Sequence, residues 1–220
     1  MVRAHRGGEK MNRIMTDDEK EQYIRKHWFS EHKAKLEKHG DLEVLTWARE
    51  DSGTYHCRYI FDGRKMYISG DIGEAVFWLT WRASLPSFQD IHIDYFEEKL
   101  QAYNGDRRNY NGVLAVKKLK EWKLDMLEDE CEIGDHEAEI IDELINGAEC
   151  CSSKAEWAYE YVNDSYYNRV ISDLECDYWE WMYDIGDEIP LRVYGYLVGL
   201  KMAYEQLKEY EEVEEQNVPR

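Results

Sequence analysis

The sequence predicts an α+β protein: an N-terminal helix, a three-stranded antiparallel β-meander, then a mostly helical, acidic C-terminal half. Three observations carry this. Apolar residues alternate with period two between residues 42 and 70, and short turn dipeptides interrupt them. Before and after that window they recur every three to four residues, as on one face of a helix. Beyond Leu124 the carboxylates accumulate almost without cations.

Each element has its own signal. Thr16 followed three residues later by Glu19 is a capping-box pattern. A helix is expected over residues 16–38, with Tyr23, Trp28 or His27, and Ala34 or Leu36 on its face, stopped by Gly40. Strands follow at 42–50, 54–61 and 65–70, separated by the turn dipeptides Ser52-Gly53 and Asp62-Gly63. Three strands need cover on one face, and the mostly apolar EAVFWLTWRA after Gly73 reads as a helix packed on them. Pro86 resets the chain, a helix starts near Asp94, and residues 104–112 form a loop. Residues 113–129 read as an amphipathic helix with Leu114, Val116, Leu119, Trp122, Met126 and Leu127 inward. Only helices are expected after that: 135–146 ending at Gly147, 152–163, 166–183 (continuous or broken), and 190–215, the last with Pro190 in the tolerated first turn. The domain reading is a disordered leader over residues 1–15, an α+β domain over 16–124 and an acidic helical domain or extension over 125–220, with a soft boundary open near residues 104–112 or 130–135.

Composition excludes several classes. With 43% hydrophobic and 14% aromatic residues the chain is too apolar to be disordered. No apolar run approaches the roughly 18 residues of a membrane span, and no signal peptide is visible. Five cysteines, odd in number and including the neighbours Cys150 and Cys151, argue against a secreted disulfide framework and for reduced thiols in a cytoplasm. Phosphate-loop motifs are absent, and in SGDIGE the residues Asp71 and Glu74 would repel a phosphate, so that segment reads as a turn. Cys131, His136, Cys150 and Cys151 do not follow a zinc spacing. His92 with Asp94, and His56 with Cys57, are neighbours in sequence only, and the last two would point to opposite faces of a strand. The chain is therefore expected to be no enzyme and to carry no cofactor or metal.

The charge is segregated. Residues 1–124 hold 22 Lys/Arg and 20 Asp/Glu, whereas residues 125–220 hold 6 and 27. The stretch DMLEDECEIGDHEAEIIDELINGAE carries eleven carboxylates, with no Lys or Arg between Lys123 and Lys154. As one helix it would span about 37 Å, one charge per roughly 3.4 Å, against about 1.7 Å in duplex DNA. DLECDYWEWMYDIGDE interleaves further carboxylates with aromatic rings, which interfaces favour. The expected partner-binding residues are Glu128, Asp129, Glu130, Glu132, Asp135, Glu137 and Glu139, with Asp173, Glu175, Asp177, Glu180 and Asp184. Direct DNA binding is disfavoured, because this half would repel phosphates.

The run KHGDLEVLTWAR, with CRYIF, ISGDIGEAVF and, more loosely, DYFEEKLQA, resembles a group of uncharacterised proteins from phages and prophages of Firmicutes-type bacteria. The resemblance covers about the first 120 residues. It implies a setting, the bacterial host cell, and no catalytic residues. In composition alone, the acidic half is similar to anti-restriction and anti-CRISPR DNA mimics. Together these lead to the expectation of a phage-encoded inhibitor that binds a host-defence nuclease. A CRISPR–Cas effector such as Cas9, alone or loaded with its guide RNA, is the expected partner, its basic nucleic-acid surface occluded. The alternatives are an adaptor that binds a host or phage protein without nucleic-acid mimicry and, third, an enzyme acting on a nucleotide signal.

Overall fold

The structure, a computed structural model, describes residues 14–128 and 133–216. The fold is α+β, and the chain divides into two compact units: residues 15–107 with 189–220, and residues 108–188. The expected cut between residues 124 and 125 falls inside a helix.

The first unit is built on a sheet. Helix α1 (Asp17–His27) begins with the expected capping box: Thr16 Oγ1 accepts the Glu19 N–H at 3.2 Å and the Glu19 carboxylate accepts the Thr16 N–H at 3.0 Å. It stops well short of residue 38. Residues Lys33–His39 are instead strand β1, paired antiparallel with β2 (Leu42–Ala48). Gly40, expected to end a helix, turns this hairpin with φ +64°. Ala34 and Leu36 fit a period of two as well as a helical face, and the partner strand decides between them.

Strands β3 (Cys57–Asp62) and β4 (Lys65–Gly70) complete the expected meander with β2. The helix expected after Gly73 is strand β5 (Ala75–Trp78). Its alternation is masked because apolar residues occupy both faces, Ala75 and Phe77 inward, Val76 and Trp78 outward. A 3₁₀ turn (Leu85–Phe88) and helix α2 (Ile93–Glu98) lead to edge strand β6 (Leu100–Tyr103). The six strands stand in sequence order, each antiparallel to the next.

The inner face of the sheet packs against α1 and the long C-terminal helix α7 (Leu191–Gln216), burying Trp47, Tyr59, Phe61, Phe77 and Tyr196. Gln206 of α7 protects the β1 edge: it accepts the Ala34 N–H at 2.8 Å and donates to the His32 carbonyl at 3.2 Å.

The second unit is helical. Asn111 Oδ1 accepts the N–H groups of Val113 and Leu114, capping α3 (Gly112–Glu128). The buried stripe of α3 is Ala115, Leu119, Trp122 and Met126. Leu127 was expected inward but is 55% exposed, about 100° around the helix from Met126. Helix α4 (Asp135–Cys150) runs through Gly147 instead of ending there. A side chain at 147 would overlap the Tyr161 ring, so this glycine serves packing rather than termination. Helix α5 (Lys154–Trp157) continues into a π turn (Ala158–Val162), and α6 (Ser165–Leu174) is capped by Asp164. The expected 166–183 helix breaks after Leu174 into two 3₁₀ turns, Tyr178–Glu180 and Met182–Asp184. Within the expected loop, β7 (Asn109–Tyr110) pairs with β8 (Asp187–Glu188). Trp157 sits at the centre of this core and donates to the Met182 carbonyl at 2.8 Å. No helix among the described residues is long and apolar enough to cross a membrane.

Candidate partner-binding surface

The helical unit, residues 108–188, holds 7 Lys/Arg against 22 Asp/Glu, a net −15. The sheet unit, residues 15–107 and 189–220, holds 17 against 24, a net −7. The acidity thus gathers in the helical unit, although α3 brings Lys117, Lys118, Lys120 and Lys123 into it and α7 leaves it.

As the separate helices expected at 113–129 and 135–146 imply, Asp125–Glu149 is not one rod: Gly134 is extended and caps α4, which begins at Asp135. Asp129, Glu130 and Glu132 lie outside the described residues, as does the side chain of Glu128. On α4 six carboxylates fall along about 24 Å, one per roughly 4 Å. Asp135 and Glu137 stand in the first turn, where the helix dipole favours them, and Glu139 lies one turn further along. Glu137 is half-buried; Asp135 and Glu139 are exposed. Of the second group, Asp173 closes α6, Glu175 is half-buried at its C-cap, and Asp177 and Glu180 are exposed on the 3₁₀ turn that follows.

These carboxylates divide into two sets. The Asp142 carboxylate pairs with Lys123 at 2.7 Å. Asp184, an expected partner residue, pairs with Lys154, which also holds Asp187 at 2.9 Å. Burial opposes the charge on Lys154, but the hydrogen bonds it donates to Asp184 and Asp187 outweigh it and raise its pKa. Glu143 accepts from the Tyr167 hydroxyl at 3.0 Å; burial first, then this carboxylate, push that phenol up to about 12. By contrast Asp135, Glu139, Asp173, Asp177 and Glu180 are exposed, and their side chains make no hydrogen bond or ion pair to a described residue. Sequence reasoning did not mark Lys154, whose isolation within the acidic run was its only signal.

The aromatic run is only partly core. Trp157 is buried, while Tyr161, Tyr167, Tyr178, Trp181 and Tyr183 are half-buried around it. Tyr159 (76%), Tyr166 (51%) and Trp179 (58%) are exposed. Trp179 and Glu180 share one 3₁₀ turn, and Tyr166 lies against the His136 ring, next in sequence to Asp135, at 6.0 Å. Unpaired carboxylates and exposed rings therefore occupy the same stretches of chain.

The candidate chemistry elsewhere does not assemble. Cys57 is buried and its thiol is pushed up to about 12, so it is no activated nucleophile beside His56. His92 and Asp94 meet at 3.2 Å, both exposed to solvent. Among the described residues no three His, Cys, Asp or Glu side chains gather to hold a metal, and Cys131 lies outside them. No family model matches the chain, and no curated protein or solved structure matches it.

Proposed function

We propose that the helical unit is an acidic docking module that occupies a basic, nucleic-acid-binding groove of a host-defence nuclease, a CRISPR–Cas effector in particular. The observation that carries this reading is the set of exposed, unpaired carboxylates Asp135, Glu139, Asp173, Asp177 and Glu180 in a unit that also exposes the rings of Tyr159, Tyr166 and Trp179. Uncompensated charge destabilises its own unit, which favours a use in binding. Lysine- and arginine-lined channels supply the complementary field, and exposed Tyr and Trp supply anchors. The resemblance of about the first 120 residues to phage and prophage proteins suggests the setting. The exposed rings also favour a second reading, an adaptor for a protein partner without nucleic-acid mimicry.

Competition separates the two. Guide-loaded Cas effectors, Cas9 included, are titrated with the full chain while target-DNA binding is followed at two salt concentrations. The proposal expects DNA binding to be lost, with an inhibition constant that weakens steeply as salt rises. Neutralising the five carboxylates should remove the inhibition. Inhibition unchanged by neutralisation, or none at stoichiometric excess, overturns the reading for those effectors.

A further inference from the structure

The sheet unit contains a second site, built around a strained residue. Tyr55 is the non-glycine residue of the described chain with positive φ, +57°, a conformation an aromatic residue adopts only where its surroundings impose it. Its backbone is pinned at both ends. The Tyr55 N–H donates to Asp71 Oδ2 at 2.7 Å, and its carbonyl faces His32 Nε2 at 3.3 Å. The result is a ring laid flat on Trp28, with centroids 4.8 Å apart and planes within 7°. Trp28 in turn lies against Gly195 of α7, so the pair is backed by the core.

This aromatic platform borders an open depression of about 460 Å³. Its polar lining is mixed. Arg192 forms no ion pair among the described residues; it donates to Asn104 Oδ1 at 3.3 Å and lies over the Tyr103 ring. Opposing it are the exposed carboxylate of Glu74, which has no side-chain partner, and the second oxygen of Asp71. Gly73, at φ +120°, leaves room for these groups: a Cβ there would stand 2.9 Å from Asn104 Oδ1 and 3.1 Å from Arg192 Nη1.

The ligand must use a flat apolar face, a donor edge and an acceptor edge. An anion alone would be repelled by Asp71 and Glu74, and a cation alone by Arg192. We infer that this depression binds a guanine base: the ring lies on Tyr55, the O6/N7 edge accepts from Arg192, and the N1/N2 edge donates to Glu74. Arginine is the side chain that matches O6 and N7 bidentately, and stacking on an aromatic ring supplies the affinity. The site lies in the sheet unit and does not depend on the docking reading of the acidic unit.

Guanosine is the probe, because it lacks a phosphate and avoids the repulsion of an acidic protein. Binding to the full chain is followed by calorimetry and by ligand-observed saturation transfer, with adenosine and cytidine alongside. The expected result is guanosine binding in the micromolar to millimolar range, at least about tenfold weaker for adenosine, which lacks both the O6 acceptor and the N1/N2 donors. E74Q and R192K, both surface changes, should each weaken guanosine at least about tenfold while leaving the circular dichroism spectrum unchanged. Y55N, whose asparagine tolerates positive φ, should abolish binding without unfolding the protein. No guanosine binding up to about 10 mM, equal binding of adenosine, or full binding by E74Q and R192K would each overturn the assignment.

Discussion

In the sheet unit acids and bases are interleaved. Arg25 holds Glu21 at 2.9 Å and Glu205 at 2.8 Å, Lys35 pairs with Glu37, Lys38 with Glu43 and Arg107 with Glu97. The bond to Glu205 does most to raise the Arg25 pKa, against the cost of its partial burial. In the helical unit three of the seven cations are engaged, Lys117 with Glu121, Lys123 with Asp142, and Lys154 with Asp184 and Asp187, whereas Lys118, Lys120 and Arg169 make no ion pair to a described residue. Asp135, Glu139, Asp173, Asp177 and Glu180 face solvent with no partner among the described residues. Both units bury aromatic cores, so the difference lies in the surface. The sheet unit comes closer to balancing its own charge, at −7, and the helical unit, at −15, leaves more of its charge for something else to balance.

The sharpest way to break that comparison is to remove a core. Trp157→Ala deletes a fully buried ring and its hydrogen bond to Met182, at a cost of about 3–5 kcal/mol. Hydrogen exchange should show α4 and α6 losing protection while β2–β4 keep theirs. Equal loss in the strands would mean that the two units unfold as one block.

A smaller effect sharpens the contrast in charge. Changing Glu139, Asp173, Asp177 and Glu180 to their amides, and leaving Asp135 at the favourable start of α4, should stabilise the helical unit, on the order of 1 kcal/mol in total. It should also flatten a rise in stability with salt that the unchanged unit shows. If salt moves the helical unit no more than the sheet unit, its surface charge is not under strain.

The least effect concerns pH and belongs to the sheet unit. Burial lowers the pKa of His32, with the Tyr55 carbonyl opposing. The unfolded chain therefore takes up the proton first, so stability rises with pH between the lowered folded value and about 6.5. As pH falls through that window the sheet unit should weaken, and His32→Gln should remove the trend. Unchanged denaturant midpoints at pH 7 and pH 5 would contradict a buried, neutral His32.

Local chemistry made much of the fold legible. The Thr16–Glu19 box, the Asp62-Gly63 turn and the alternation of β2–β4 are all decided within a few residues, and each was readable. The errors fell where a distant strand chooses between two local options. Residues 33–39 and 75–78 have apolar spacing compatible with either period, and pairing with β2 and β4 makes them strands. The site divides similarly. That residues 125–188 are acidic and aromatic was plain, but which carboxylates are free and which are held by Lys123 or Lys154 was not.

By itself the sequence determined the α+β class, the helix starts and the concentration of charge, because these follow from composition and from contacts between near neighbours. Only the tertiary structure decided that α7 belongs with the sheet, that Lys123 and Lys154 hold some of the acids and leave others free, and that Tyr55 is held in a left-handed conformation beside Arg192. Each of those depends on residues distant in the chain, and no local pattern encodes which of them will meet.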